Sequence, residues 1–178
     1  MPDVVTHMAC GLLVRAAAGR RLGPAFVLGA VLPDLVSRLP AAALLVIDER
    51  ILPVPAPLLD AWAPLHLPAG IAAWCALFAL LFPESRRRGA LATLLAGAAL
   101  HVALDLCQRH TGLGYPLLAP FSSRDFEIGL FGSEASIPWA PWLGGLAAAA
   151  CWIRWRCDRA RPARAAPGGD PGEGREGA

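Results

Sequence analysis

Apolar residues run almost unbroken through four stretches, 22–39, 66–82, 89–107 and 137–153, each near the length a tilted helix needs to cross a bilayer. A shorter apolar helix over 4–18 is expected ahead of them. The polar punctuation between these stretches is arginine. Arg20 and Arg21 precede the first span, Arg86, Arg87 and Arg88 separate the second from the third, and Arg154, Arg156, Arg159, Arg161 and Arg164 follow the fourth. An even number of spans lies between successive clusters. The other connections carry acids instead: Asp48, Glu49 and Asp60 on one, Asp125, Glu127 and Glu134 on the other. The positive-inside rule therefore puts the arginine clusters and the C-terminus in the cytoplasm and the acidic connections outside. Trp139 and Trp142 at one end of the last span, and Trp152 and Trp155 at the other, suit the aromatic belts of the two interfaces. Pro40 is expected to end the first span, with residues 41–47 lying along the outer interface.

Composition narrows the class. The 178 residues have room for one domain, and 56% hydrophobic residues with a mean hydropathy of +0.48 are too apolar for a soluble domain of this size. The expected architecture is all-α, an integral membrane bundle over residues 1–157, followed by a disordered Arg/Pro/Gly-rich tail over 158–178. All sixteen basic residues are arginine, which with abundant Ala, Gly and Pro looks like the product of a GC-rich bacterial genome; the expected location is the bacterial inner membrane. No broad basic face offers itself to nucleic acid; the lipid bilayer is the expected partner. Residues 8–18 superficially resemble a signal peptide, but Asp3 and the missing cationic start argue against one. Cys10, Cys75, Cys107, Cys151 and Cys157 form no CxxC pair and are expected to be buried free thiols.

Ionisable groups inside apolar helices are costly, so they are where function is sought. His7 falls in the short first helix, Asp34 in Leu32-Pro33-Asp34-Leu35, His66 at the start of the second span, and His101 and Asp105 in the third. Their depths can be counted from the arginine turns. His7 lies thirteen residues before Arg20, Asp34 thirteen after Arg21, His101 thirteen after Arg88, Asp105 seventeen after Arg88 and His66 twenty before Arg86. At about 1.5 Å of rise per residue, all sit roughly 20 to 30 Å from the inner surface, in the outer half of the membrane. The i, i+4 spacing of His101 and Asp105 puts imidazole and carboxylate on one helix face. Five N and O ligands at one depth meet the needs of a zinc-type site. Taken singly, His7 or His66 is equally well read as a hydrogen bond to a neighbouring helix. Asp34 is equally well read as a cap behind Pro33 or a partner of Arg38 at i+4. His110, just past the third span, is expected to be a solvated interfacial histidine.

Thr6-His7, Leu32-Pro33-Asp34, His66, His101-Val102-Ala103-Leu104-Asp105 and the segment Tyr115-Pro116-Leu117-Leu118-Ala119-Pro120-Phe121 together resemble the YdjM-like family of predicted membrane-bound metal-dependent hydrolases. The resemblance spans about residues 6–136. That family is in turn similar to the zinc-dependent phospholipase C and P1 nuclease group. The resemblance implies Asp34, His66, His101 and Asp105 around one zinc, with His7 on a second zinc bridged by Asp105. It also departs from pattern: Val36 stands where a second acidic residue is common, and only His66 remains of a region that often has two histidines. For a third zinc, only His110 and Glu134 are at hand on the outer side.

The function expected on this basis is a membrane-bound hydrolase using one or two divalent ions, zinc foremost, on a phosphoester or other ester of a lipid-like substrate at the outer face. Asp34 is the candidate to orient the attacking water or take its proton. No GxSxG elbow or Walker loop is present, which sets aside serine chemistry and nucleotide hydrolysis. Two alternatives use the same residues differently: a small transporter with a His/Asp relay, weakened by the absence of an inverted repeat, or a non-catalytic membrane interaction protein with an arginine-rich tail.

Overall fold

The structure, a computed structural model, describes residues 4–110, 114–132, 135 and 137–160. It is mostly helical. The helices are α1 (Val4–Ala18), α2 (Pro24–Arg50), α3 (Ala56–Asp60), α4 (Pro68–Ala79), α5 (Arg87–Leu106) and α6 (Ala140–Ala160), with short 3-10 turns at Gly19–Arg21, Ala63–His66, Glu84–Arg86 and Ile137–Trp139. Outside the helices, β1 (Gln108–Arg109) pairs in parallel with β2 (Phe131–Gly132), and Tyr115 bridges Phe126. These few pairs fold the long connection after α5 back onto the end of that helix.

By length and composition, α2 and the stretch Glu84–Leu106 are able to cross a membrane. Ala56–His66 with Pro68–Ala79 forms a third candidate, broken by a 76° bend. At fifteen residues α1 is short for a span. Large apolar side chains point outward all round, among them Leu39, Leu81, Leu146, Ile153 and the tryptophans Trp139, Trp142, Trp152 and Trp155. This outward apolar surface suits contact with lipid.

Three expectations are corrected. Pro40 does not end its helix: α2 continues through both Pro33 and Pro40 to Arg50. A proline costs the ladder one hydrogen bond, but the Ala- and Leu-rich stretch 41–47 is made of strong helix formers and resumes the helix. The stop comes at Pro53 and Pro55, where the Val54 N–H bonds Asp48 Oδ1 at 2.7 Å. At the far end, α6 runs through Ala160, three residues into the expected tail; the rest of that tail, and Glu134, lie outside the described residues. All five cysteines are free, but only Cys75 is fully buried, and Cys157 is exposed near the arginine-bearing end of α6.

The core lies where α2, α4 and α5 meet, around Leu32, Ile71, Cys75 and Leu94. The contact of α2 with α5 is the tightest in the molecule. A Cβ on Gly29 would lie 2.1 Å from the Leu94 carbonyl oxygen, and one on Gly97 would lie 2.0 Å from that of Phe26. Only glycine permits this approach. It brings the backbone of α2 against α5 one turn before Asp34 on the first helix and one turn before His101 on the second.

Candidate metal centre

Each of the five ionisable residues picked out above comes to one point at the heart of the bundle. His7 arrives on α1, Asp34 on α2, and His101 and Asp105 on α5. His66 comes not on a span but on the 3-10 turn Ala63–His66, just ahead of α4. All five are buried, His7, Asp34, His101 and Asp105 completely.

Their polar atoms face one another. His7 Nδ1 is 3.2 Å from Asp34 Oδ2, and His7 Nε2 is 3.6 Å from Asp105 Oδ1. Asp105 Oδ2 is 2.8 Å from His66 Nε2 and 3.3 Å from His101 Nε2. The two Nε2 atoms are themselves 3.4 Å apart, and the rings of His7 and His101 stack at 3.9 Å. Asp105 thus turns one oxygen to His7 and the other to His66 and His101, as a bridging carboxylate does.

The surroundings decide which ring nitrogens carry protons. His101 Nδ1–H donates to the Ala30 carbonyl at 2.8 Å, which leaves Nε2 as a lone-pair atom facing the cluster. Ser37 Oγ–H donates to the Pro33 carbonyl at 2.6 Å, so it accepts from His66 Nδ1–H at 3.0 Å, and His66 Nε2 also faces inward with its lone pair. Two imidazole lone pairs and a carboxylate oxygen then crowd within 3.4 Å of one another. Such a set repels itself unless a cation, proton or metal, sits among them.

Part of the charge is met by Arg38, whose Nε is 2.6 Å from Asp34 Oδ1 and whose Nη2 is 3.3 Å from His66 Nε2. The i+4 pairing of Asp34 with Arg38 is therefore real, and it coexists with the convergence on the histidines. Even so, both His7 nitrogens, both Asp34 oxygens and Asp105 Oδ1 are buried without a hydrogen bond of good geometry. Buried polar atoms are rarely left so, and a metal ion is one of the partners that would satisfy them. By proximity, His7, His101 and Asp105 form one triad and Asp34, His66 and His101 a second, each with ligand atoms within 4.8 Å of one another. Both sets are able to hold a metal ion, and their N and O donors suit zinc or another borderline divalent cation.

Two supporting roles were not foreseen in the sequence. Ser37 fixes the His66 tautomer, and a serine at i+4 from a proline carries no signal of that role. Tyr115 O–H donates to the backbone carbonyl of His66 at 2.5 Å and so holds the turn that presents the imidazole. Burial, and then the nearby Asp105 carboxylate, push the Tyr115 hydroxyl above the usual tyrosine range, so it stays a donor. His110 is corrected: its side chain is only 10% exposed, beside Tyr115 and with Nδ1 3.8 Å from Glu127. The return of the 114–132 connection onto α5 covers it, and it lies apart from the five.

Apolar helices wrapped around a buried histidine and aspartate cluster define a membrane protein with a candidate metal centre. The chain belongs to the YdjM inner membrane protein family, whose model matches residues 1–166. No curated protein and no solved structure matches it.

Proposed function

We propose that this protein is a metal-dependent hydrolase of the inner membrane, holding one or two zinc ions and cleaving a phosphoester or other ester of an amphipathic, lipid-like substrate at the outer face. The observation that carries this reading is the inward-facing Nε2 pair of His66 and His101 beside Asp105, with Asp34 and His7 closing the set. In the arrangement implied by the family resemblance, Asp34, His66, His101 and Asp105 would hold one ion, and His7 with Asp105 would hold a second.

A divalent cation there supplies Lewis-acid charge, lowering the pKa of an associated water toward about 7 and drawing off negative charge from a phosphoryl or acyl oxygen. The remaining work falls to the chain. Ser37 and the Ala30 carbonyl hold the two imidazoles in their ligand tautomers. Arg38 fixes one oxygen of Asp34, and the other, which faces His7 Nδ1, would orient the attacking water and take its proton.

The topology belongs to the same proposal: four spans, with the arginine-bearing ends and the C-terminus in the cytoplasm. In support, a Cβ on Gly19 would touch the Arg154 guanidinium, so the turn after α1 and the last turns of α6 share one end of the bundle. The deciding experiment is elemental analysis of detergent-purified wild type beside a His101→Ala, Asp105→Ala double variant. Near-stoichiometric zinc in the first and none in a folded second is expected; a metal-free wild type purified without chelator would end the proposal.

A further inference from the structure

A cavity of about 340 Å³ opens beside the His66 edge of the cluster, between α2, the Ala56–His66 segment and the connection after α5. Its walls are apolar, from Leu59, Leu67 and Pro116, but besides His66 three nitrogen-bearing side chains line it as well: Arg38, Trp62 and His110. Arg38 turns Nε and Nη2 toward Asp34 and His66, while 31% of its side chain stays exposed. Trp62 Nε1–H is buried with no acceptor. Both His110 ring nitrogens are buried without a hydrogen bond, although the side chain is only 10% exposed. Glu127 lies 3.8 Å from His110 Nδ1. Among the described residues, the one carboxylate lining the cavity is that of Asp60, an exposed residue.

The part of the Arg38 guanidinium not engaged by Asp34 and His66, an indole N–H without an acceptor among the described residues and a sheltered imidazole line one cavity. Planar guanidinium with additional N–H donors suits the oxygens of a phosphate group. The apolar walls suit the hydrocarbon of the molecule that carries it. We infer that this cavity binds the phosphate group of an amphipathic phosphoester, with Arg38, Trp62 and His110 as its donors. Resting on the hydrolase reading, the consequence is that the substrate is a phosphoester rather than a carboxylic ester, held with its phosphorus next to His66 and Asp34.

The test is equilibrium dialysis of radiolabelled inorganic phosphate against the detergent-purified full chain, with metal content measured on the same samples. Wild type is expected to bind phosphate saturably. Arg38→Gln, Trp62→Phe and His110→Gln are each expected to weaken binding about tenfold or more, since each removes one bond to a charged acceptor. Metal content in Trp62→Phe and His110→Gln should match wild type. Those two variants keep the ring or the approximate bulk, so they carry the test if Arg38→Gln does not fold. Phosphate that binds with the metal but is indifferent to Trp62 and His110 would overturn the inference and leave the metal reading standing. Phosphate binding that depends on all three residues in metal-free wild type would uphold the cavity and remove the metal reading. No saturable binding to wild type would overturn the inference outright.

Discussion

Replacing Gly97 by alanine tests whether helix packing one turn from the ligands sets the geometry of the centre. The new Cβ would lie 2.0 Å from the Phe26 carbonyl oxygen and 2.8 Å from the Ala30 backbone nitrogen. Neither contact is the tip of a flexible side chain, so the backbones themselves must part. Reaching an ordinary contact of about 3.5 Å requires α2 and α5 to separate by about 1.5 Å at this point. The His101–Ala30 hydrogen bond, at 2.8 Å, crosses the same seam and would be stretched beyond usefulness. Asp34 sits on one side of the seam and His101 with Asp105 on the other, whereas metal–ligand distances tolerate only about 0.2 Å of error. Gly97→Ala should therefore cost about 1–3 kcal/mol of stability through overpacking and, in the same protein, strip most of the bound metal. Thermal unfolding in detergent and elemental analysis read the two effects, with Gly144→Ala, where an added Cβ meets nothing within 4 Å, as control. A Gly97→Ala protein as stable as wild type and fully loaded with metal would refute the link between helix approach and ligand geometry.

Ser37→Ala removes the acceptor that holds His66 Nδ1–H and should lower metal affinity about 10- to 100-fold in a chelator competition with little change in helix content. Tyr115→Phe leaves the buried His66 carbonyl without its donor and should destabilise by about 1–3 kcal/mol, read as a lower Tm. Cys157, exposed at the arginine end of α6, should react with an impermeant maleimide in inside-out vesicles and be protected in intact spheroplasts; labelling from the outside would invert the proposed orientation.

The meeting of five residues was legible because lipid makes each of them expensive, so their positions in apolar runs stand out against a plain background. Similar distances from the arginine turns, thirteen to twenty residues, together with the HxxxD spacing on α5, located them at about one depth without any structure. The details were less accessible. Pro40 reads as a stop in a local scan, yet the helix formers beyond it outweigh one lost backbone bond and carry α2 to Arg50. His66 reads as the opening of a span, whereas Pro64 and Pro68 place it on the turn before one, presented by Tyr115 from a segment forty-nine residues away in sequence. The close seam at Gly29 and Gly97 was not foreseen either, because glycine is common throughout this chain and only pairing in space separates a packing glycine from an indifferent one.

The ion pair of Asp34 with Arg38 bears on how such a centre is made. α1 and α2 are synthesised well before α5, so for an interval Asp34 has no imidazole from His101 to meet it. A lone aspartate near the middle of a helix opposes insertion by about 2.5–3.5 kcal/mol. With arginine one turn along the same helix, α2 carries its own counter-ion as a neutral pair, and that pair persists beside the histidines once α5 has packed.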